Sequence, residues 1–181
     1  MTIPETLEAG PITLHRWTPD LAGDLHRAVL ESLPELVRFM HWATGDYDLD
    51  AARDYLRLSH GEWDSGETFN FAMLTPQRDV VGSCGLMSRR GPTVYEIGYW
   101  VHSAYAGRGY ATAVAMVLAE AGLGEAGIDR VEIHHDLDNP ASGRVAAKAG
   151  FREVGRLRVD KKALCDSGTH LVWARTLPKR G

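Results

Sequence analysis

The stretch from Val94 to His135 constrains the fold most. Val94–Val101 reads as a strand and Gly109–Glu125 carries Val114, Val117, Leu118 and Ala121 at helical spacing. Ile128–His135 reads as a second strand, so the segment is one βαβ crossover, the connection that parallel strands require. The chain before it changes period. Phe69, Phe71 and Met73 alternate, Pro76–Asp79 turns, Val80–Met87 extends, and Arg89–Pro92 turns back into Val94. Three strands joined by tight turns form an antiparallel meander. A single crossover grafted onto a meander predicts an α+β domain with a mixed sheet.

The remaining segments fit around that unit. Pro11–Arg16 reads as a first strand, and Thr18-Pro19-Asp20 starts a helix carrying Leu21, Leu25, Val29 and Leu30. Pro34 fits the first turn of a short second helix, Glu35–Trp42, where its missing N–H costs nothing. A third helix runs over Leu49–Trp63, closed by Ser65-Gly66. Ser142–Ala149 reads as a short helix stopped by Gly150, and Phe151–Val159 and Thr169–Thr176 close the sheet as a pair. The expectation is one domain over residues 1–181, with six or seven strands and flanking helices.

Composition excludes several classes. With 44% apolar residues the chain has enough for a core, and a net charge of −4 offers no basic field for nucleic acid. No apolar run approaches the roughly 20 residues of a membrane span. The segment Met1–Glu5 lacks the basic and apolar regions of a secretion signal. Two cysteines, Cys84 and Cys165, without CxxC spacing, argue against a disulfide framework and for a cytoplasmic protein. Cys84, on a strand, reads as a small buried apolar residue.

Glycine is abundant, at 19 residues, and its densest functional pattern is Tyr105-Ala106-Gly107-Arg108-Gly109-Tyr110-Ala111-Thr112. Placed between strand and helix, these glycines admit a ligand close to the backbone, and the helix start offers unpaired N–H groups to a phosphate. Arg108 adds a cation. A P-loop is excluded, because GK[ST] is missing. A dinucleotide fold would require a third glycine where Thr112 stands. A coenzyme A pyrophosphate loop and a glycine turn without ligand remain.

Four segments decide between these. Glu96-Ile97-Gly98-Tyr99-Trp100-Val101, then Ala106–Ala111, then Asn139-Pro140-Ala141-Ser142, then Lys148-x-Gly150-Phe151 together resemble the Gcn5-related N-acetyltransferases (GNAT), and within them the RimJ/RimL type. The resemblance spans Pro11 to Arg175 and implies the GNAT fold and acetyl transfer from acetyl-CoA to a primary amine. It implies that acetyl-CoA lies along Trp100 and Val101, with Ala106, Gly107, Arg108, Gly109, Tyr110, Ala111 and Thr112 around the pyrophosphate and Asn139 and Ser142 beside the thiol end. Ala106 departs from the family pattern, which has Gln or Arg there.

The chemistry needs a base for the ammonium, a donor for the thioester oxygen and a proton for the leaving thiolate. The resemblance assigns the base to Glu96 and the acid to Ser142. A salt-bridged strand glutamate and a helix N-cap serine are the respective structural alternatives. Two family positions are occupied otherwise: Ala146 stands where many relatives have an acid tyrosine, and Lys161 stands where RimL-like relatives have a base glutamate, with Asp160 adjacent. His41 and Trp42 match an aromatic acceptor position, and His134 is placed on the acceptor side of the cleft. Adjacent His134 and His135 face opposite ways on a strand, so no metal site is expected. The expected partner is a protein N-terminus or a small amine, with a homodimer left open and neither nucleic acid nor membrane. A silent acyl-CoA-binding module is the non-enzymatic alternative, and the acidic set Asp46, Asp48, Asp50, Glu62 and Asp64 would suit a cationic acceptor.

Overall fold

The computed structural model describes residues 3–177, so residues 1–2 and 178–181 of the expected 1–181 domain lie outside them. The alternating segments pair as a meander: β3 (Thr68–Leu74) with β4 (Val80–Met87), and β4 with β5 (Val94–Val101), all antiparallel. The crossover follows as α3 (Tyr110–Leu123) and β6 (Arg130–Asp136), and β5 pairs β6 in parallel. Around it stand β1 (Thr6–Ala9), β2 (Ile12–Arg16), α1 (Ala22–Phe39), α2 (Leu49–Ser65), α4 (Pro140–Lys148), β7 (Arg152–Arg158) and β8 (Thr169–Thr176). Among the described residues the sheet has eight strands in the order β1-β2-β3-β4-β5-β6-β8-β7.

That count corrects the expected six or seven. The additional strand, β1, pairs with β2 through a turn at Gly10, whose φ of 65° suits a residue without Cβ. Four residues with one buried side chain give too little alternation to read as a strand.

The second correction concerns Pro34. No helix starts there. α1 runs through it to Phe39, and His41 and Trp42 lie in the turn beyond. Proline withholds the N–H that would reach the Leu30 carbonyl, but Leu30 and Pro34 are both exposed, so water can satisfy that oxygen. Ser32 and Leu36, buried on either side, hold both halves against the sheet.

The sheet separates two cores. Leu86, Ile97 and Ile133 pack with Val114 and Leu118 of α3 on one face. Trp17, Leu25, Val29, Leu56 and Trp100 pack on the other, under α1 and α2. Strand alternation therefore sends Tyr95, Ile97 and Tyr99 toward α3 and α4, and Glu96, Gly98 and Trp100 the other way.

Candidate active site

The pairing of β5 with β6 stops at Ile97↔Ile133. Beyond it the strands part, and among the described residues the edge of β5 from Gly98 to Val101 has no strand partner on that side. Unpaired backbone donors and acceptors there can hold an extended ligand as an added strand. The fork opens into a cleft of about 1810 Å³ lined by Trp42, Tyr99, Gly107, Gly109, His134 and Ser142, among others. Ala106, Tyr110, Ala111, Thr112, Trp100, Val101, Asn139, Glu96 and His41 also line it, whereas Arg108 does not.

At one end the chain makes a 3-10 turn, Ser103–Tyr105, fixed from two sides. His102 accepts the Ala104 N–H at Nδ1 (3.1 Å) and donates from Nε2 to Glu31 (2.8 Å). The Ser103 N–H donates to the buried Ser32 hydroxyl (3.1 Å), and the Ser103 hydroxyl donates to Glu35 (2.8 Å). Gly107 and Gly109 then take φ values of 77° and 82°, and a Cβ built on either meets nothing within 4 Å. Ala113 N–H to Gly109 O is the first helical bond, so the amides of Tyr110, Ala111 and Thr112 point out of the helix. An anion fits this cradle of open space, free amides and a positive helix end. The Arg108 guanidinium lies over the Tyr105 ring, 4.7 Å from its centroid, and donates to the Ala104 carbonyl.

Ser142 and Asn139 divide the duties differently from the capping alternative. Asn139 is the N-cap of α4, its side chain accepting from the Ser142 N–H (3.3 Å). The Ser142 hydroxyl is left free of capping and lies 2.7 Å from the Tyr99 hydroxyl. Burial pushes the Tyr99 phenol up to about 12, although the bond to Ser142 works against this. The pair therefore keeps a proton on this wall of the cleft. Ala146, where relatives carry a tyrosine, is fully buried, and the phenol arrives from the strand instead of the helix.

On the opposite face Glu96 is buried, and both its oxygens accept from arginines: Arg89 reaches both, and Arg90 adds a third bond. Burial alone would raise the Glu96 pKa, but the Arg89 hydrogen bond and charge, with His134 and Arg90, bring it below the usual value. Neither arginine was singled out in the sequence, since Arg89-Arg90 reads locally as a turn. One residue past the fork stands His134, buried to 5% side-chain exposure, with Nε2 2.7 Å from Glu132. His135 faces the other way. Its Nε2 accepts from Trp173 (2.9 Å), so its Nδ1 donates to the Asp136 carbonyl (2.8 Å).

Trp42 packs near Trp100 and Tyr47, at ring-centroid distances of 6.2 and 6.0 Å, and His41 is exposed beside it. Most of the acidic set does not gather at the cleft: Asp48 caps α2, Asp50 pairs with Arg53 and Asp64 with Arg16. Basic residues line it instead, including Arg89, Arg90, Arg144, Arg158 and Lys161, with Asp160 beside Lys161. Asp136, Asp166 and His170 cluster within 4.8 Å, but all four carboxylate oxygens already accept from loop groups, namely the amides of Asp138, Ser167, Lys162 and Gly168 and the Ser167 hydroxyl. They fasten the loop between β7 and β8.

The acetyltransferase (GNAT) domain model matches residues 12–152. The chain belongs to the GNAT acetyltransferases. It is 26% identical over 132 residues to the N-acetyltransferase p20 of Bacillus licheniformis, covering 72% of this chain and 74% of that protein. The microcin C7 self-immunity acetyltransferase MccE, solved with acetyl-CoA and AMP, superposes with a TM-score of 0.87 at 17% identity, covering 97% of this chain and 98% of that one. RimL, the ribosomal L7/L12 α-N-protein acetyltransferase solved with coenzyme A, superposes with a TM-score of 0.85 at 19% identity, covering 95% and 98%. The GNAT fold is thus shared with enzymes that modify very different acceptors. No helix among the described residues is long and apolar enough to cross a membrane.

Proposed function

We propose that this GNAT enzyme acts as one domain in the cytoplasm and transfers an acetyl group from acetyl-CoA to the α-amino group of a protein or peptide. The observation that carries this reading is the open cleft at the β5–β6 fork. It runs from Trp42 and Tyr47 to the loop around Lys161 and Gly168, so a chain extending from the amine has a way out. The likeness to RimL supports the same acceptor class.

In this reading the β5 edge and the amides after Gly109 seat acetyl-CoA, and the Tyr99–Ser142 pair gives the departing sulfur its proton. A backbone N–H at Trp100 or Val101 meets the thioester oxygen. Alignment of amine and thioester at the fork supplies much of the rate. Glu96, with both oxygens taken by guanidinium groups, serves as a fixed charge that orders Arg89 and Arg90 beside the acceptor.

A small amine is the second reading, favoured by the half-open Trp42 ring at the cleft mouth and by the likeness to MccE. Thiol release from acetyl-CoA, followed by mass spectrometry of the products, separates them. Peptides with free N-termini should gain an acetyl group on the α-nitrogen. Turnover of polyamines or aminoglycosides with none of the peptides would replace the first reading by the second. Binding of acetyl-CoA without thiol release from any amine would leave a silent binding module.

A further inference from the structure

We propose that His134 is the proton acceptor for the incoming amine, and that Glu132 fixes its ring in the tautomer this role requires. The inference rests on acetyl transfer to an amine and is independent of which amine it is.

Placement comes first. Glu96↔Glu132 and Ile97↔Ile133 are the last paired positions of β5 and β6, so His134 is the first β6 residue past the fork. Register puts it level with Gly98 and on the same face, where Gly98 contributes no side chain. The imidazole thus borders the slot through which a thioester would meet an amine, and it lines the cleft.

Hydrogen bonding then sets the tautomer. A carboxylate accepts hydrogen bonds and donates none, so the 2.7 Å contact with Glu132 is a donation from His134 Nε2. Glu132 is itself held by Arg130 at 2.8 Å. In the neutral ring Nδ1 then carries the lone pair, and Nδ1 is buried with no hydrogen-bond partner among the described residues. A buried acceptor without a partner is costly unless a substrate uses it. His135 shows the contrast, with both nitrogens engaged. So does Glu96, whose two oxygens are occupied by Arg89 and Arg90.

The step balances. The ammonium gives one proton to Nδ1, and its nitrogen bonds to the acetyl carbon as the carbon–sulfur bond breaks. Sulfur leaves with the electron pair and takes a proton from the Tyr99 hydroxyl, which the second amine proton restores. Imidazolium, stabilised by Glu132, returns its proton to solvent, so the products are amide, thiol and one proton. The charged and titratable groups that face the ring are Glu132 on its own strand, Glu96 with Arg89 and Arg90 from the β5 side, and His170 from β8; Val172, opposite on β8, is apolar.

The test compares H134N and E96Q with wild type, using whichever amine the wild-type enzyme acetylates. Expected for H134N is a loss in kcat/KM on the order of 10²-fold or more, with acetyl-CoA affinity and circular dichroism unchanged. The acidic limb of the pH profile should vanish in H134N and persist in E96Q. A limb that survives H134N, or disappears in E96Q, overturns the proposal. Nitrogen NMR of the His134 ring gives a readout that needs no turnover: protonated Nε2 is expected, and protonated Nδ1 would overturn it. A wild-type enzyme active on polyamines and inert to peptides refutes the acceptor assignment alone, and H134N is then measured on the polyamine.

Discussion

The Tyr99 and Ser142 hydroxyls stand 2.7 Å apart although 43 residues separate them in the chain. Because burial holds the phenol up to about 12, Tyr99 keeps its proton through the neutral range, as the proposed delivery to a departing thiolate requires. Y99F should lower kcat by roughly 10²-fold with little change in KM for acetyl-CoA. S142A should lower it less, since the phenol remains. A larger loss in kcat for S142A than for Y99F would show that the serine, not the tyrosine, carries the proton. The glycine loop is legible in sequence because its conformation is local: Gly107 and Gly109, read as admitting a ligand close to the backbone, take left-handed φ values and leave open space where a Cβ would stand. The Tyr99–Ser142 pair was not legible, because it depends on where α4 docks against β5. The arginines on Glu96 escaped for a related reason, since β5 brings Glu96 back beside the turn that carries them.

At the scale of elements, α1 buttresses the turn that leads into the glycine loop, the proposed acetyl-CoA seat. Its Ser32 hydroxyl, fully buried, is the acceptor for the Ser103 N–H at 3.1 Å. S32A would leave that amide unpaired, at a cost of about 1–3 kcal/mol. The loop leading to Gly107 would loosen, so the Kd for acetyl-CoA should rise several-fold; urea unfolding and calorimetry check the two halves of this expectation. An unchanged Kd at reduced stability would mean that α1 supports the fold and not the loop. From sequence alone this helix divides at Pro34, because proline gives the same local signal in a first turn and in an exposed mid-helix position. What distinguishes them is burial of Ser32 and Leu36 on one face, a tertiary fact. The meander and crossover, by contrast, follow from alternation within each segment, and their pairing matches it.

Across the whole molecule the sheet divides two cores, and buried phenols sit in both. Tyr55, on α2, shares a 3.3 Å contact with Ser83, while Tyr95 and Tyr99 face α3 and α4. Burial raises all three and lifts Tyr47 to about 12. The unfolded chain ionises its tyrosines near pH 10, roughly the ordinary value. Above that pH the unfolded state binds fewer protons than the native one, so stability falls as pH rises. The contribution of each raised phenol is complete below about pH 10 and is lost as pH passes through its folded value. Each such group contributes a slope of up to about 1.4 kcal/mol per pH unit. For Tyr99, whose folded value is about 12, the loss approaches roughly 2–3 kcal/mol. The urea midpoint should therefore drop steadily above pH 10 or thereabouts, with the phenolate absorbance of Tyr47, Tyr55, Tyr95 and Tyr99 appearing only as the protein unfolds. Y99F should flatten part of that slope without altering stability at neutral pH through ionisation. Phenolate absorbance lost in Y47F, Y55F, Y95F or Y99F that rises while both cores stay folded would show that these phenols ionise in place and that their burial does not couple pH to the fold.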